Sequence, residues 1–309
     1  MTFMRKALRS LGCLVSLLIC VGTAAAQGRQ VAITIDDLPR AFDGGPYDLS
    51  ATRALTAKLL LPFREQKIPA IGFVNAARME KDPKGLREIL DLWLEAGADL
   101  GNHSYSHPDI NSVALDVYTA DIAKGEPALR AALTARGRSL AFYRHPYLHT
   151  GSTAENKKGL QDFLDSHGYR VAPVTLDNSD YMYATAYQKA EFRERVRREY
   201  LPYMESVVDF FERRSVEVAG REFPQILLIH ASQMNADLMP QLLEMFRRRG
   251  YGFVTLAKAL EDPVYRSTEN YVGRGGFSWI HRWSQAKGMA NKGEPDPPEW
   301  VQKAYAEAQ

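Results

Sequence analysis

Two patterns of hydrophobic and polar residues alternate along most of the chain. Short apolar runs rich in β-branched residues predict strands, and the longer segments between them repeat their apolar residues every three or four positions, which is typical of helices. The predicted strands are residues 30–35, 68–74, 98–102, 139–143, 169–174, 223–229 and 251–255. The predicted helices are residues 49–66, 84–96, 114–133, 154–166, 186–215 and 236–249, with a short helix ending at Leu260. Strands and helices that alternate in one unbroken series indicate an α/β fold with about seven parallel strands.

The series contains no linker rich in Pro, Gly or Ser, so we expect residues 27–261 to form one domain that is large enough to be a catalytic domain. Residues 262–309 depart from the series, with several glycines and the sequence Pro295-Asp296-Pro297-Pro298. We expect this C-terminal segment to be an ordered but irregular arm that is followed by a frayed end.

The first 26 residues have the three parts of a secretory signal peptide. Three basic residues form a positively charged start, residues 11–21 are apolar but too short for a comfortable membrane span, and small residues precede Gln27. We therefore predict cleavage after Ala26 and a secreted or periplasmic protein. A short N-terminal membrane anchor is the alternative interpretation.

Composition and charge exclude several classes of function. The chain has 39 basic and 37 acidic residues, and three of the basic ones lie in the leader, which leaves 36 against 37. Such a neutral body lacks the basic face that nucleic-acid binding requires, so we expect no nucleic-acid partner. Both cysteines, Cys13 and Cys20, lie in the leader, so any metal must be bound by His, Asp or Glu. No second apolar segment approaches the length of a membrane span, so we expect no transmembrane segment after signal removal.

Polar side chains collect where five of the predicted strands end. In a parallel α/β sheet, ligands bind at the carboxyl ends of the strands, so these side chains are expected to converge. They are Asp36 and Asp37 after the first strand, His103 and His107 after the third, Arg144 after the fourth, Asp177 and Asp180 after the fifth, and His230 after the sixth.

The two histidines after the third strand are four residues apart. On one helical turn this spacing points both imidazoles the same way, so they could bind one metal ion. Two surface histidines with no ligand are the alternative interpretation. Two His and one Asp form a metal-binding set with open positions for water and substrate. Asp36 and Asp37 could cap a helix or form a turn, but beside a metal one carboxylate can be a ligand and the other a base.

His230 could be a core-edge residue bonded to a backbone carbonyl, and Arg144 could simply pair with a nearby carboxylate. The remaining histidines carry weaker signals. His145 and His149 flank the expected site, His167 precedes a glycine at a helix end and needs no chemistry, and His281 could serve packing or recognition.

The five strand-end motifs, taken in order, resemble those of the NodB-homology polysaccharide deacetylases, carbohydrate esterase family four. The matching segments are Thr34-Ile35-Asp36-Asp37, Gly101 to His107, Arg144-His145-Pro146-Tyr147, Asp177 to Tyr181, and Leu227 to His230. The resemblance covers roughly residues 30–260.

The resemblance implies a distorted (β/α) barrel of about seven strands and a divalent metal, most often zinc. It implies that Asp37, His103 and His107 bind this metal. It further implies Asp36 as general base and His230 as general acid.

The resemblance also implies supporting roles for other residues. Arg144 would hold Asp36, an aspartate of the fourth motif would tune His230, and the backbone N–H of Tyr147 would stabilise an oxyanion. Both Asp177 and Asp180 are candidates for that aspartate, and we take Asp180. The expected substrate contacts are Tyr147, Tyr181 and Leu228.

Some positions depart from the family pattern. Ile35 replaces Phe, Leu148 replaces the Gly after Tyr147, and Tyr181 replaces Trp, while residues 182–222 form a long insertion. The implied activity is removal of acetyl groups from N-acetylated amino sugars of a chitin-, peptidoglycan- or exopolysaccharide-like poly- or oligosaccharide, with release of acetate. An O-acetyl esterase using the same site, or a catalytically inactive carbohydrate-binding protein, is the alternative.

Overall fold

The structure is a computed structural model that describes residues 28–45, 48–290 and 292–309. The predicted signal peptide, residues 1–26, lies outside the described residues and stays a prediction. None of the helices in the described part of the chain is long and apolar enough to cross a membrane.

Strands and helices alternate through most of the described chain. The strands are β1 (Gln30–Leu38), β2 (Ala70–Val74), β3 (Asp99–Asn102), β4 (Phe142–Tyr143), β5 (Arg170–Val171), β6 (Gln225–His230) and β7 (Gly252–Phe253). The helices are α1 (Leu49–Gln66), α2 (Pro83–Glu95), α3 (Leu115–Thr134), α4 (Ala154–Ser166), α5 (Asp180–Gln188), α6 (Ala190–Ala219), α7 (Gln233–Arg248), α8 (Leu256–Ala259), α9 (Trp279–Ala286) and α10 (Glu299–Ala306). Short 3-10 turns occupy Ala76–Met79, Pro146–Leu148 and Pro263–Arg266.

The strands form one parallel sheet in the order β5-β4-β3-β2-β1-β6, and β7 pairs with the beginning of β1. The chain just after β5 closes this sheet. Leu176 bridges to Leu227 of β6, and the backbone N–H groups of Thr175 and Leu176 donate to the carbonyl of Ile226 at 3.0 Å. Since β5 pairs with β4 at one edge and the next residues reach β6 at the other, the sheet curls into a distorted barrel, as the family resemblance implied.

The central strand β1 is buried on both faces, as expected for a parallel strand covered by helices. Its neighbour β6 runs in register with it, so that Asp36 lies directly beside His230. Residues in register on adjacent parallel strands send their side chains to the same face. The register therefore brings the first and last strand-end motifs together.

Side-chain caps fix where several helices begin. The carboxylate of Asp48 accepts from the backbone N–H of Ala51 at the start of α1, and the hydroxyl of Ser232 accepts from Asn235 at the start of α7. Each such cap satisfies a backbone donor that the helix itself leaves free. Because α7 follows β6 at once, its cap also fixes the residues just after His230.

Two parts of the chain differ from the sequence-based expectation. The predicted helix 186–215 is two helices, α5 and α6, with extended backbone at Lys189 between them. The C-terminal segment, expected to be irregular and frayed, contains α9 and α10. Trp279 and Trp283 on α9 are buried at 7% and 2% exposure because they pack on the body of the protein. The domain boundaries themselves stay a prediction.

Candidate active site

The carboxylates of Asp36 and Asp37 both line one cleft at the carboxyl ends of the strands. Regular β-structure would send these neighbours to opposite faces, because side chains alternate along a strand. Here the pairing of β1 with β2 changes register between Ile35 and Leu38, and Asp37 has a φ of +68°. A bulge of this kind re-aims a side chain, and aspartate tolerates the left-handed conformation better than most residues do.

The loop after β3 holds His103 and His107 beside Asp37. This loop is not the helical turn that the four-residue spacing predicted. Ser104 and His107 have φ values of +66° and +60°, and the Ser104 hydroxyl accepts from the backbone N–H of His107. Asp121 on α3 accepts from two further backbone N–H groups of the loop. These bonds fold the loop so that the two imidazole rings lie 4.8 Å apart, edge to face.

The three side chains fit a divalent metal. Nε2 of His103 and Nε2 of His107 lie 3.7 Å and 3.6 Å from Oδ1 of Asp37. Ligand atoms bound at ~2.1 Å in a tetrahedral arrangement lie ~3.4 Å from one another, close to these separations. Oδ1 of Asp37 is buried with no hydrogen-bond partner among the described residues, which a metal ion would supply.

Protonation at this cluster also suits metal binding. Burial lowers the pKa of His103 and of His107, so both imidazoles are neutral at neutral pH. Nδ1 of His103 lies 2.9 Å from the carbonyl of Arg144, an acceptor, so the ring proton is on Nδ1 and Nε2 is free to bind. Burial favours the neutral form of Asp37, but Arg78 and the nearby histidines outweigh it and lower its pKa well below the usual range.

Arg144 holds Asp36 from below the cleft. The guanidinium is fully buried, lies 3.5 Å from Oδ2 of Asp36 and donates to the hydroxyl of Thr34 at 2.8 Å. The guanidinium of Arg144 favours the charged form of Asp36, but burial acts more strongly and raises the pKa of Asp36 to about 6. The carboxyl is therefore a base at neutral pH that still accepts a proton readily.

Asp180, at the start of α5, is the aspartate that contacts His230. Its Oδ1 lies 2.7 Å from Nδ1 of His230, and its Oδ2 accepts from the backbone N–H of His230 and from the amide of Asn235. Burial alone would lower the pKa of His230, but Asp180 outweighs it and raises that pKa to about 9. Asp177 does not share these contacts, and burial raises its own pKa to about 7. Of the two candidate aspartates, Asp180 is therefore the one whose carboxylate contacts His230.

Tyr147 and Leu148 form a left-handed turn beside the metal ligands, with φ values of +55° and +56°. The Tyr147 ring packs edge-on to His107 at 4.5 Å and is 55% exposed in the cleft. Leu148 stands where the family pattern has glycine, the residue that adopts positive φ at least cost. Its side chain is 5% exposed, so burial offsets that cost.

The cleft has a volume of about 510 Å³ and is lined by the expected substrate contacts Tyr147, Tyr181 and Leu228. Sequence reasoning missed several of its residues. Arg78, on the turn after β2, lies 3.1 Å from Oδ2 of Asp37, and four others come from the C-terminal segment. These four are Gly276, Glu294, Tyr305 and Gln309. No motif marked them, and Trp279 and Trp283 are the signal that could have indicated a packed element there.

The other four histidines have different surroundings. His145 is buried at the cleft wall and stacks on Trp279 with 6.4 Å between ring centroids. His149 pairs with Asp109, and His167 pairs with Glu126 at the end of α4, away from the cleft. His281 lies 2.9 Å from Glu294 inside the C-terminal segment.

Comparison with known proteins points to one family. The family model named polysaccharide deacetylase matches residues 23–172. A peptidoglycan-N-acetylglucosamine deacetylase of Bacillus cereus is 24% identical over 231 residues, covering 73% of this chain and 68% of the relative. A chitin deacetylase of Colletotrichum lindemuthianum is 26% identical over 251 residues, covering 78% and 85%.

A solved structure, a family 4 carbohydrate esterase from Streptomyces lividans in complex with acetate, aligns at 18% identity with a TM-score of 0.47. That alignment covers 75% of this chain and 95% of the other. The family match spans the first three strand-end motifs, and the relatives extend it over most of the chain. The chain therefore matches the polysaccharide deacetylase family with NodB homology, and the relatives that it matches are named as deacetylases, which are hydrolases.

Proposed function

We propose that this protein is a metal-dependent enzyme that removes acetyl groups from N-acetylated amino sugars of a chitin- or peptidoglycan-like saccharide and releases acetate. The observation that carries the proposal is the pairing of Asp36 and His230, which lie in register on β1 and β6. At neutral pH one of them can accept a proton and the other can donate one. With pKa values of about 6 and about 9, the first is ionised and the second protonated between those limits. The relatives are named as deacetylases of peptidoglycan and of chitin, and these names support the substrate class.

Asp37, His103 and His107 would hold the metal, for which zinc is the best match because the ligand set is one carboxylate and two imidazoles. When bound, a divalent metal polarises a carbonyl and lowers the pKa of water toward ~7. The buried and otherwise unpartnered Oδ1 of Asp37 supports this role.

The chain's own residues move the protons. Asp36 takes a proton from the attacking water, and Arg144 holds the carboxylate in place while it does so. The backbone N–H of Tyr147 would stabilise the oxyanion that develops on the acetyl group, a contribution of roughly 3 kcal/mol in related chemistry. His230 then protonates the departing amine through Nε2, because its Nδ1 is bonded to Asp180.

Amide cleavage, and not ester cleavage, is the reaction that needs this acid. An amine leaves only when it is protonated, whereas an alkoxide is a much better leaving group. The hydrogen bonds that Asp180 forms with His230 keep the imidazole protonated to about pH 9, which supports N-deacetylation over O-deacetylation.

Replacing His230 with alanine tests this assignment. The variant should lose more than ~2 kcal/mol of transition-state stabilisation on an N-acetylated sugar oligomer and much less on an activated acetyl ester. Steady-state kinetics on both substrates measure the difference. His167→Ala, which removes a histidine at the far end of α4, is the matched control and should behave as wild type on both. Equal losses of the His230 variant on both substrates would show that His230 acts before the leaving-group step.

A further inference from the structure

The C-terminal segment, residues 262–309, forms one wall of the catalytic cleft, although it lies beyond the residues that the family model matches. We propose that this segment adds a sugar-binding subsite next to the catalytic one, in which Tyr305 on α10 contacts the pyranose ring that follows the acetylated sugar. The inference rests on the proposed function, because it names where the neighbouring sugar of the same substrate binds.

Close backbone contacts seat this segment against the catalytic turn. A side chain at Gly276 would begin only 1.7 Å from the carbonyl oxygen of Tyr147, so only glycine fits there. Arg282 on α9 is fully buried and donates to the carbonyl of Leu148 at 2.6 Å and to the hydroxyl of Thr150 at 2.8 Å. The wall is therefore fixed to the turn that carries Tyr147.

Helix α10 of the same segment is also held firmly, by contacts with α5 and α6. Trp300 packs edge-on to Tyr183 of α5, and its indole N–H donates to Glu199 of α6 at 2.8 Å. Val301 and Ala304 are 0% and 2% exposed because they pack on the body of the protein. Tyr305 comes directly after this anchored face, so its ring is presented from a rigid helix and not from a mobile tail.

The position of Tyr305 relative to the general acid defines the subsite. The ring of Tyr181 lies 6.2 Å from the imidazole of His230, and the ring of Tyr305 lies 5.2 Å from Tyr181 at an interplanar angle of 77°. The two tyrosines therefore lead outward from His230, the residue that faces the departing amine. All three side chains line the same cleft.

The chemistry of these side chains suits a sugar ring. A pyranose has an apolar C–H face and a rim of hydroxyls, and a tyrosine has a partly exposed ring with a polar tip. Glu294 adds a carboxylate to the same wall, where it can accept hydrogen bonds from hydroxyls, and His281 holds that carboxylate at 2.9 Å. The pair of tyrosines with a fixed carboxylate matches an uncharged pyranose.

The test compares Tyr305→Ala with wild type on N-acetylglucosamine oligomers of two to five sugars and on 4-nitrophenyl acetate, which has no sugar. The variant should raise KM roughly 5- to 20-fold for the longer oligomers, with little change in kcat and none on the small ester. Tyr305→Phe, which keeps the ring, should restore most of the affinity. Lys303→Ala, on the exposed side of the same helix, is the matched control and should behave as wild type.

Equal KM values for wild type and Tyr305→Ala at every oligomer length would overturn the subsite while leaving the deacetylase activity standing. If wild type releases no acetate from any oligomer, the proposed function fails instead. Calorimetric titration of both proteins with the five-sugar oligomer then decides the subsite by itself. Weaker binding by Tyr305→Ala supports it, and equal binding contradicts it.

Discussion

Asp36 and His230 lie side by side on neighbouring strands, yet their environments shift their protonation in ways that complement each other. Burial outweighs Arg144 at Asp36 and raises its pKa to about 6, whereas Asp180 outweighs burial at His230 and raises its pKa to about 9. When two titratable groups flank a reacting centre and their pKa values are well separated, the group with the lower pKa is usually assigned as the base and the other as the acid.

Removing the base should separate turnover from metal binding. Asp36→Asn keeps the shape of the side chain but cannot accept a proton, so we expect activity to fall by about 10²–10⁴-fold. Metal analysis should still find one equivalent per chain, because the proposed ligands are Asp37 and the two histidines and not Asp36. A variant that loses its metal, and is active once metal is restored, would show that the two aspartates have the opposite roles.

The partner of the acid should control the alkaline side of the pH profile. The pKa of His230 is raised from 6.5 to about 9, so its pair with Asp180 stabilises the folded protein fully below pH 6.5, and that contribution is lost as pH rises through about 9. Activity that needs protonated His230 should fall over the same upper range.

In Asp180→Asn the alkaline limb of kcat/KM should move down by about 1–3 pH units, since the charge that favours the imidazolium is gone. Asp177→Asn is the control variant, because Asp177 does not share the contacts of Asp180 with His230. The alkaline limb of kcat/KM should move far less in this variant. If the alkaline limb moved in Asp177→Asn and not in Asp180→Asn, Asp177 and not Asp180 would be the residue that raises the pKa of His230.

Much of the site at this scale could be read from the sequence, because strand-end motifs list the reacting side chains in order. In the structure one cleft is lined by Asp36, Asp37, His103, His107 and His230. Arg144 contacts Asp36, and Asp180 contacts His230. The sequence did not indicate that burial would outweigh Arg144 at Asp36. That balance depends on the surrounding packing, which a list of residue types does not contain.

At the scale of elements, long amphipathic helices were predictable and short irregular pieces were not. The predicted helix 49–66 coincides with α1, and 154–166 coincides with α4. By contrast, β4 and β5 have only two residues each, too few for a periodic pattern. The turn with His103 and His107 is set by positive φ values and side-chain caps, which the four-residue spacing could not distinguish from a helix.

The attachment of α9 can be tested as an element. Arg282 is fully buried and bonded to Leu148 and Thr150, so Arg282→Ala leaves acceptors without partners and a void. We expect a loss of about 2–4 kcal/mol in the free energy of unfolding. Arg53→Ala, which breaks an exposed pair with Glu88, should cost less than about 1 kcal/mol. Chemical denaturation of both variants measures this, and similar losses would contradict the anchoring role of Arg282.

For the whole molecule, the alternation of strands and helices predicted the parallel sheet but not how it closes. Closure depends on Thr175 and Leu176 pairing with β6, and these residues lie between recognisable elements. The C-terminal segment is a second feature of this scale. Its few apolar residues gave little periodicity, yet it packs beside the barrel and lines the cleft. Both features depend on contacts between residues that are far apart in the sequence, and local sequence patterns do not predict such contacts.

The most direct test of the central claim measures bound metal and reaction products on one preparation of the protein. A metal-loaded sample should contain one divalent ion per chain and release acetate and free amine in equal amounts from an N-acetylglucosamine oligomer. Dialysis against a chelator should remove both the ion and the activity, zinc should restore both, and His103→Ala should recover neither. Full activity in the metal-free protein, or acetate released without new amine, would contradict the account.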